Sequence, residues 1–140
     1  EARELRSMIL RHPPGHLQRT TAYFLAQGHY DVLVRKLRQQ LAKRRAAMQE
    51  ALQSTGIKIA GAARFGGSSF WVQGPDWVDS SELADALQKD GVLIEPGAPF
   101  FDDETRRTNF FRLGYSSIPT DRIKTGINLI DKRINILGNG

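Results

Sequence analysis

Cysteine is absent from the 140 residues, which excludes a disulfide scaffold, a zinc knuckle and thiol catalysis. Long apolar runs are absent as well: none approaches the ~20 residues needed to cross a bilayer, and no signal-peptide pattern opens the chain. Histidine is scarce, three in all. His12 and His16 are four apart, but Pro13-Pro14-Gly15 breaks the helix that would put them on one face. With no carboxylate or third histidine at ligand spacing, no metal site is expected. There is no Gly-x-Ser-x-Gly elbow, no phosphate loop of Walker or dinucleotide spacing, no internal repeat and no low-complexity tract. What is present is an ordinary globular mixture, 40% hydrophobic and 25% charged, which argues against wholesale disorder. A chain of this size hides roughly 68% of its unfolded surface on folding. The expectation is a soluble, cytoplasmic domain with at most a small appendage. The chain starts at Glu1, without Met, inside a helical pattern, which suggests a piece of a longer polypeptide.

Charge is unevenly spread. The net is +5, but residues 1–70 hold 12 Lys/Arg against 4 Asp/Glu, a net of +8, while residues 71–140 hold 8 against 11, a net of −3. Arg35, Lys36, Arg38, Lys43, Arg44 and Arg45 form a stripe with no acid among them. Such a stripe suits nucleic acid or an anionic surface. It equally suits a solvated helix face or one docked on an acidic neighbour. The second reading is favoured, since neither an aromatic stacking platform nor a helix-turn-helix pattern accompanies the stripe.

The first ~50 residues read as helices by period and punctuation. Glu1 to Arg11 stops at Pro13-Pro14-Gly15. Leu17 to Gln27 follows, with an apolar stripe of Leu17, Thr21, Phe24 and Leu25, and Gly28 closes it. The third helix, about Asp31 to Ser54, would span ~36 Å, with Leu33, Leu37, Leu41, Met48 and Leu52 on one face. After Gly56 the grammar changes. Ser68 to Val72 reads as a strand, with Lys58 to Ala60 as a short partner. Asp79-Ser80-Ser81-Glu82 is a capping box, with Val78 and Leu83 at the staple positions, and Gly91 ends the helix it opens. Val92 to Ile94 reads as a short strand ended by Pro96-Gly97, and Asn109 to Tyr115 as a longer one. Pro119 opens a last helix whose stripe is Ile123, Ile127, Ile130, Ile134 and Leu137. This order predicts an α+β fold, a small, mainly antiparallel sheet covered by helices. Residues 1–56 form a helical segment and residues 57–140 the sheet-bearing domain.

Arg112 is the most informative residue. It lies mid-strand between apolar neighbours, where a guanidinium is costly unless an anion meets it. Its planar fork grips a carboxylate through two parallel hydrogen bonds. An edge-strand arginine reaching water, or a structural salt bridge, fits equally well, and the residues alone leave both readings open. Gly66-Gly67-Ser68-Ser69 permits unusual backbone angles or close approach of a ligand; as a phosphate loop it lacks the helix that should follow. Pro96-Gly97-Ala98-Pro99-Phe100-Phe101 is a rigid turn bearing two aromatics that suit a pocket wall or plain packing. Asp102, Asp103 and Glu104 read as a solvated loop rather than a catalytic pair.

Taken in order, Gly66-Gly67-Ser68-Ser69-Phe70-Trp71-Val72, the capped helix, Gly91-Val92-Leu93-Ile94-Glu95-Pro96-Gly97, Phe100-Phe101 and Asn109-Phe110-Phe111-Arg112-Leu113-Gly114-Tyr115-Ser116-Ser117-Ile118 resemble the C-terminal small domain of fold-type-I, pyridoxal-phosphate-dependent aminotransferases. Upstream, Arg11-His12-Pro13-Pro14-Gly15, Gln18, Gly28-His29-Tyr30-Asp31 and the basic helix are similar to the MocR-type branch of GntR regulators. In that branch a winged helix-turn-helix is fused to an aminotransferase-like domain. The resemblance implies that Arg112 binds the α-carboxylate of an amino-acid substrate or effector, and that Gly67 and Ser69 line the pocket. It implies that the long helix bridges to a large domain and that the complete protein is a homodimer bound to DNA through an N-terminal domain. It also implies pyridoxal phosphate in the complete protein. The cofactor's lysine follows a Ser-rich turn in the large domain, and none of Lys36, Lys43, Lys58, Lys89, Lys124 or Lys132 has that setting. This chain alone is therefore expected neither to hold the cofactor nor to transaminate. His16-Leu17 departs from the polar pair that many relatives carry before Gln18. The expectation is the effector-sensing and dimerisation part of a transcription regulator. A stand-alone aminotransferase is the alternative within the fold, and a basic nucleic-acid-binding module the alternative outside it.

Overall fold

A computed structural model describes residues 2–10, 14–61, 67–102 and 108–138. Arg11, His12, Pro13, Gly66, Asp103 and Glu104, singled out above, lie outside them. The chain divides into two compact units, Glu1–Gln39 and Gln40–Gly140.

The first unit is helical. It holds α1 (Ala2–Leu10), α2 (Gly15–Ala26) and the start of α3 (His29–Gln53). Pro14 precedes the first turn of α2, and its carbonyl accepts from the Gln18 amide at 3.2 Å. Gly28 closes α2 at φ +72°, a left-handed angle that glycine adopts without penalty. The apolar stripe predicted for α2 covers no core: Leu17, Thr21, Phe24 and Leu25 are all exposed. Leu33 and Leu37 on α3 are exposed too, whereas Met48 and Leu52 further along the same helix are buried and Leu41 is half-buried. Periodicity marked the face of α3; it could not mark where along the helix a neighbour covers it.

The second unit is a four-stranded antiparallel sheet with helices against one face. The strands are β1 (Lys58–Ile59), β2 (Ser69–Gln73), β3 (Glu95–Pro96) and β4 (Phe110–Gly114), in the order β1-β2-β4-β3. The expected partner strand at Lys58 does pair with β2. Residues alternate between the two faces of a strand. Phe70 and Val72 of β2 and Phe111 and Leu113 of β4 therefore share one face, and all four are buried. Against them pack Met48, Ala51 and Leu52 of α3, Leu83 and Leu87 of α4 (Ser80–Lys89), and Ile123, Ile127, Ile130 and Ile134 of α5 (Thr120–Gly138). Each fully buried aliphatic side chain contributes about 2 kcal/mol of transfer free energy.

Local signals set the helix boundaries. Asp79 caps α4, its carboxylate accepting from the Ser81 and Glu82 amides at 2.8 and 3.2 Å. At the other end Gly91 sits at φ +74°, with its amide on the Gln88 carbonyl and the Val92 amide on the Leu87 carbonyl. That pair of bonds is the Schellman closure of a helix. The strand expected at Val92 to Ile94 is not formed. Those residues are the irregular exit from this closure, with Leu93 81% exposed. Pairing begins instead at Glu95 opposite Arg112 and Pro96 opposite Phe111. Pro96 is tolerated there because β3 is an edge strand. Leu137, expected on the buried stripe of α5, is 41% exposed, since the helix outruns the sheet it covers.

Candidate functional site

The same alternation that buries Phe111 and Leu113 turns Arg112 to the opposite face of the sheet. The guanidinium is thus not buried among its apolar neighbours: it is 47% exposed, and its flanking side chains point away from it. Trp71 of β2 and Glu95 of β3 stand beside it in register, one on each side. The anion beside it is Glu95, so the structural salt bridge that the residues alone left open is formed. Arg112 Nε donates to Glu95 Oε2 at 2.5 Å, and Arg112 Nη2 pairs with the same oxygen. A guanidinium carries five N–H donors, so one carboxylate oxygen leaves capacity for another anion.

Around this pair lies a hollow of about 290 Å³, lined by Ser68, Ser69, Ile94, Glu95, Arg112 and Ser116 among others. Ser69 therefore shares the hollow with Arg112. Gly67 does not line it; its φ is +88°, and its carbonyl accepts from the Tyr115 hydroxyl at 2.8 Å, which fixes the approach to β2. Phe100 and Phe101 of the rigid turn do meet this face. Trp71 packs against Phe100, Phe101 and Phe110 with ring centroids 5.4, 5.9 and 6.0 Å apart, and Phe101 lies 5.6 Å from Phe110. Arg112 Cζ sits 5.9 Å from the Phe100 ring centre, within cation–π range. The arrangement offers a forked cation, hydroxyls and an aromatic wall on one face: chemistry that orients a small carboxylate with an organic body.

Glu95, Ser116, Trp71 and Phe110 are the members that the sequence reading missed. The signal for Glu95 was present in the opposite charges of Val92–Pro96 and Asn109–Tyr115, had these been laid antiparallel. The basic stripe proves divided. Arg44 donates to the Ser116 carbonyl, and Arg45 lies over the Phe70 ring at 5.0 Å, so both are turned onto the sheet unit. Arg35, Lys36, Arg38 and Lys43 are exposed. No group of three metal-ligating side chains occurs among the described residues, and none of the helices there is long and apolar enough to cross a membrane. His16 and Asp102 are exposed and share no site.

All six lysines, Lys36, Lys43, Lys58, Lys89, Lys124 and Lys132, are exposed, and none lines the Arg112 hollow.

No protein-family model matches the chain. Among curated proteins it is 51% identical over 132 residues to the HTH-type transcriptional regulator TauR of Rhodobacter capsulatus. That alignment covers 94% of this chain and 27% of the relative, so the chain spans about a quarter of its length. Solved aminotransferases share the fold. The multiple substrate aminotransferase of Thermococcus profundus superposes with a TM-score of 0.71 at 24% identity, over 83% of this chain and 29% of that one. The α-aminoadipate aminotransferase LysN of Thermus thermophilus, solved with N-(5'-phosphopyridoxyl)-L-leucine, superposes with a TM-score of 0.74 at 21% identity, over 97% of this chain and 35% of that one.

Proposed function

We propose that this chain, which carries the small domain of a fold-type-I aminotransferase-like protein in the branch of the regulator TauR, is the ligand-sensing lobe of a GntR/MocR-type transcription regulator. Residues 57–140 supply the α+β small domain, and residues 1–56 the helical segment that bridges to a large domain. The observation that carries the reading is the outward guanidinium of Arg112, set in a hollow with Ser69 and with the Phe100 ring against it. Arg112 takes the carboxylate of an amino acid through its free N–H edge, as a fork suited to bidentate pairing. Ser69 lies within the same hollow to orient the ligand, and Gly67 shapes the turn before it. The Phe100 ring lies against one side of the guanidinium at cation–π distance.

The cofactor of this reading is pyridoxal phosphate, held by parts of the complete protein outside this chain, where it supplies an electrophile for the ligand's amino group. The neighbours' fold and the 51% identity to a regulator support this assignment. Ligand capture closes the small domain on the large one and changes how a cytoplasmic homodimer presents its DNA-binding heads.

The test is calorimetric binding of an amino-acid panel to the cofactor-loaded complete gene product and to its Arg112→Ala variant. Loss of the charged fork should weaken every carboxylate ligand by roughly 100-fold, the value of a buried or half-buried charge-assisted pair. Unchanged affinity in a folded Arg112→Ala protein refutes the assignment. If the complete product lacks a DNA-binding segment and turns over amino and keto acids, it is a stand-alone aminotransferase.

A further inference from the structure

The guanidinium that the proposed function assigns to a ligand already carries an anion. Glu95 stands opposite Arg112 in the sheet and accepts from Arg112 Nε at 2.5 Å, with Arg112 Nη2 on the same oxygen. Both side chains line one hollow. The main chain holds the carboxylate there: the Gly97 amide donates to the Phe110 carbonyl at 2.8 Å, directly after the pairing of Glu95 and Pro96 with β4. A Cβ on Gly97 would stand 2.4 Å from that carbonyl oxygen, so β3 lies as close to β4 as a glycine allows. The two side chains are 47% and 46% exposed, and an ion pair this open contributes little to stability, typically under about 1 kcal/mol. Its larger consequence falls on binding. Arg112 and Glu95 together are neutral, so an incoming carboxylate gains the guanidinium and meets an opposing charge beside it.

We infer that Glu95 is a built-in counter-anion that competes with the ligand for Arg112 and so sets how much of a carboxylate ligand is needed to fill the site. This rests on the assignment of Arg112 as the carboxylate fork. Glu95 acts on affinity, not on ligand class: its charge opposes the carboxylate that Arg112 receives, whatever else the ligand carries and whatever the large domain adds. Two binding modes give the same sign. A ligand carboxylate on the guanidinium's remaining N–H edge leaves Glu95 in place and is repelled by it. One that takes the Nε edge must first displace Glu95, and the existing charge-assisted pair is lost. At a half-solvated separation of several ångströms the opposing charge lowers affinity by roughly five- to tenfold.

The probes are the standard amino acids, together with the carboxamide of whichever binds most tightly. Their binding is measured calorimetrically on the complete, cofactor-loaded gene product, on Arg112→Ala and on Glu95→Gln, whose side chain still offers Arg112 Nε an acceptor oxygen. In Glu95→Gln the amino acid should bind roughly five- to tenfold more tightly, with the melting temperature unmoved. The carboxamide brings no negative charge, so its affinity should change by less than about twofold. The gain for the amino acid should narrow as sodium chloride is added, because half-exposed charges are screened. An amino acid bound no more tightly by Glu95→Gln than by the native protein, a carboxamide that gains as much as its acid, or a gain indifferent to salt overturns the inference. If Arg112→Ala loses binding while Glu95→Gln matches the native protein, only the inference falls. If Arg112→Ala binds normally, or the native protein binds no amino acid, the assignment beneath it falls as well.

Discussion

Gly97 and Gly91 both stand in turns, yet alanine harms them for different reasons. Gly97 has an ordinary φ of −80°, but an added Cβ would lie 2.4 Å from the Phe110 carbonyl oxygen, a backbone atom that cannot swing aside. Gly91 has open space around it and a φ of +74°. The first substitution pushes β3 off β4, costing about 1–3 kcal/mol; the second strains one residue into the left-handed region, costing about 1–2 kcal/mol. Urea unfolding should show both losses. Ligand binding separates them, because only Gly97→Ala displaces the strand that brings Glu95 to Arg112. Equal ligand affinity in the two variants contradicts this account. The same contrast shows what a sequence reveals at this scale. Pro96-Gly97 is legible as a turn, and Arg112 as a cation in an apolar run. That Gly97 must be small, and that Glu95 is the partner, depend on pairing between residues far apart along the chain, and a two-residue strand leaves no period to read.

Among the elements, α5 was legible because its isoleucines recur with the helical period, and α4 because Asp79 and Gly91 punctuate it. Extent of cover was not legible. Ile127 and Leu137 belong to one stripe by spacing, yet Ile127 is buried against the sheet while Leu137 is 41% exposed near the helix end. The pair gives a direct measurement of cover. Ile127→Ala should destabilise the chain by about 2–5 kcal/mol, the range for an aliphatic side chain removed from a core. Leu137→Ala should stay within about 0.5 kcal/mol. Similar losses by thermal or urea unfolding would mean that the helix is covered along its whole length. The strand expected at Val92 to Ile94 misplaced its pairing by the same logic. Its apolar residues satisfied the strand pattern, but the helix closure at Gly91 uses the Val92 amide, and the ladder starts only where the backbone has come alongside β4, antiparallel to it.

Across the whole molecule, every buried hydrophobic side chain among the described residues lies between Met48 and Ile134. The compact unit Gln40–Gly140 holds all of them, and the unit Glu1–Gln39 holds none. The excess positive charge is distributed the same way, toward the half without a core. Helices shorter than about 12–15 residues are marginal in water unless packing supports them. α1 and α2 have 9 and 12 residues and no buried side chain among those described. Residues 40–140 should therefore fold alone and melt cooperatively within about 8 °C of the 140-residue chain, the shift expected for a loss near 1 kcal/mol in a domain of this size. A peptide of residues 1–39 should be mainly disordered by circular dichroism, because Leu17, Phe24, Leu33 and Leu37 mark faces that need a neighbour to form helices at all. Non-cooperative melting of residues 40–140, or a stably helical monomeric peptide 1–39, would show that the helical half contributes its own stability. Under the proposed function the opposite is required: a segment without a core of its own gains its structure by packing on the large domain that it joins to the ligand-binding sheet.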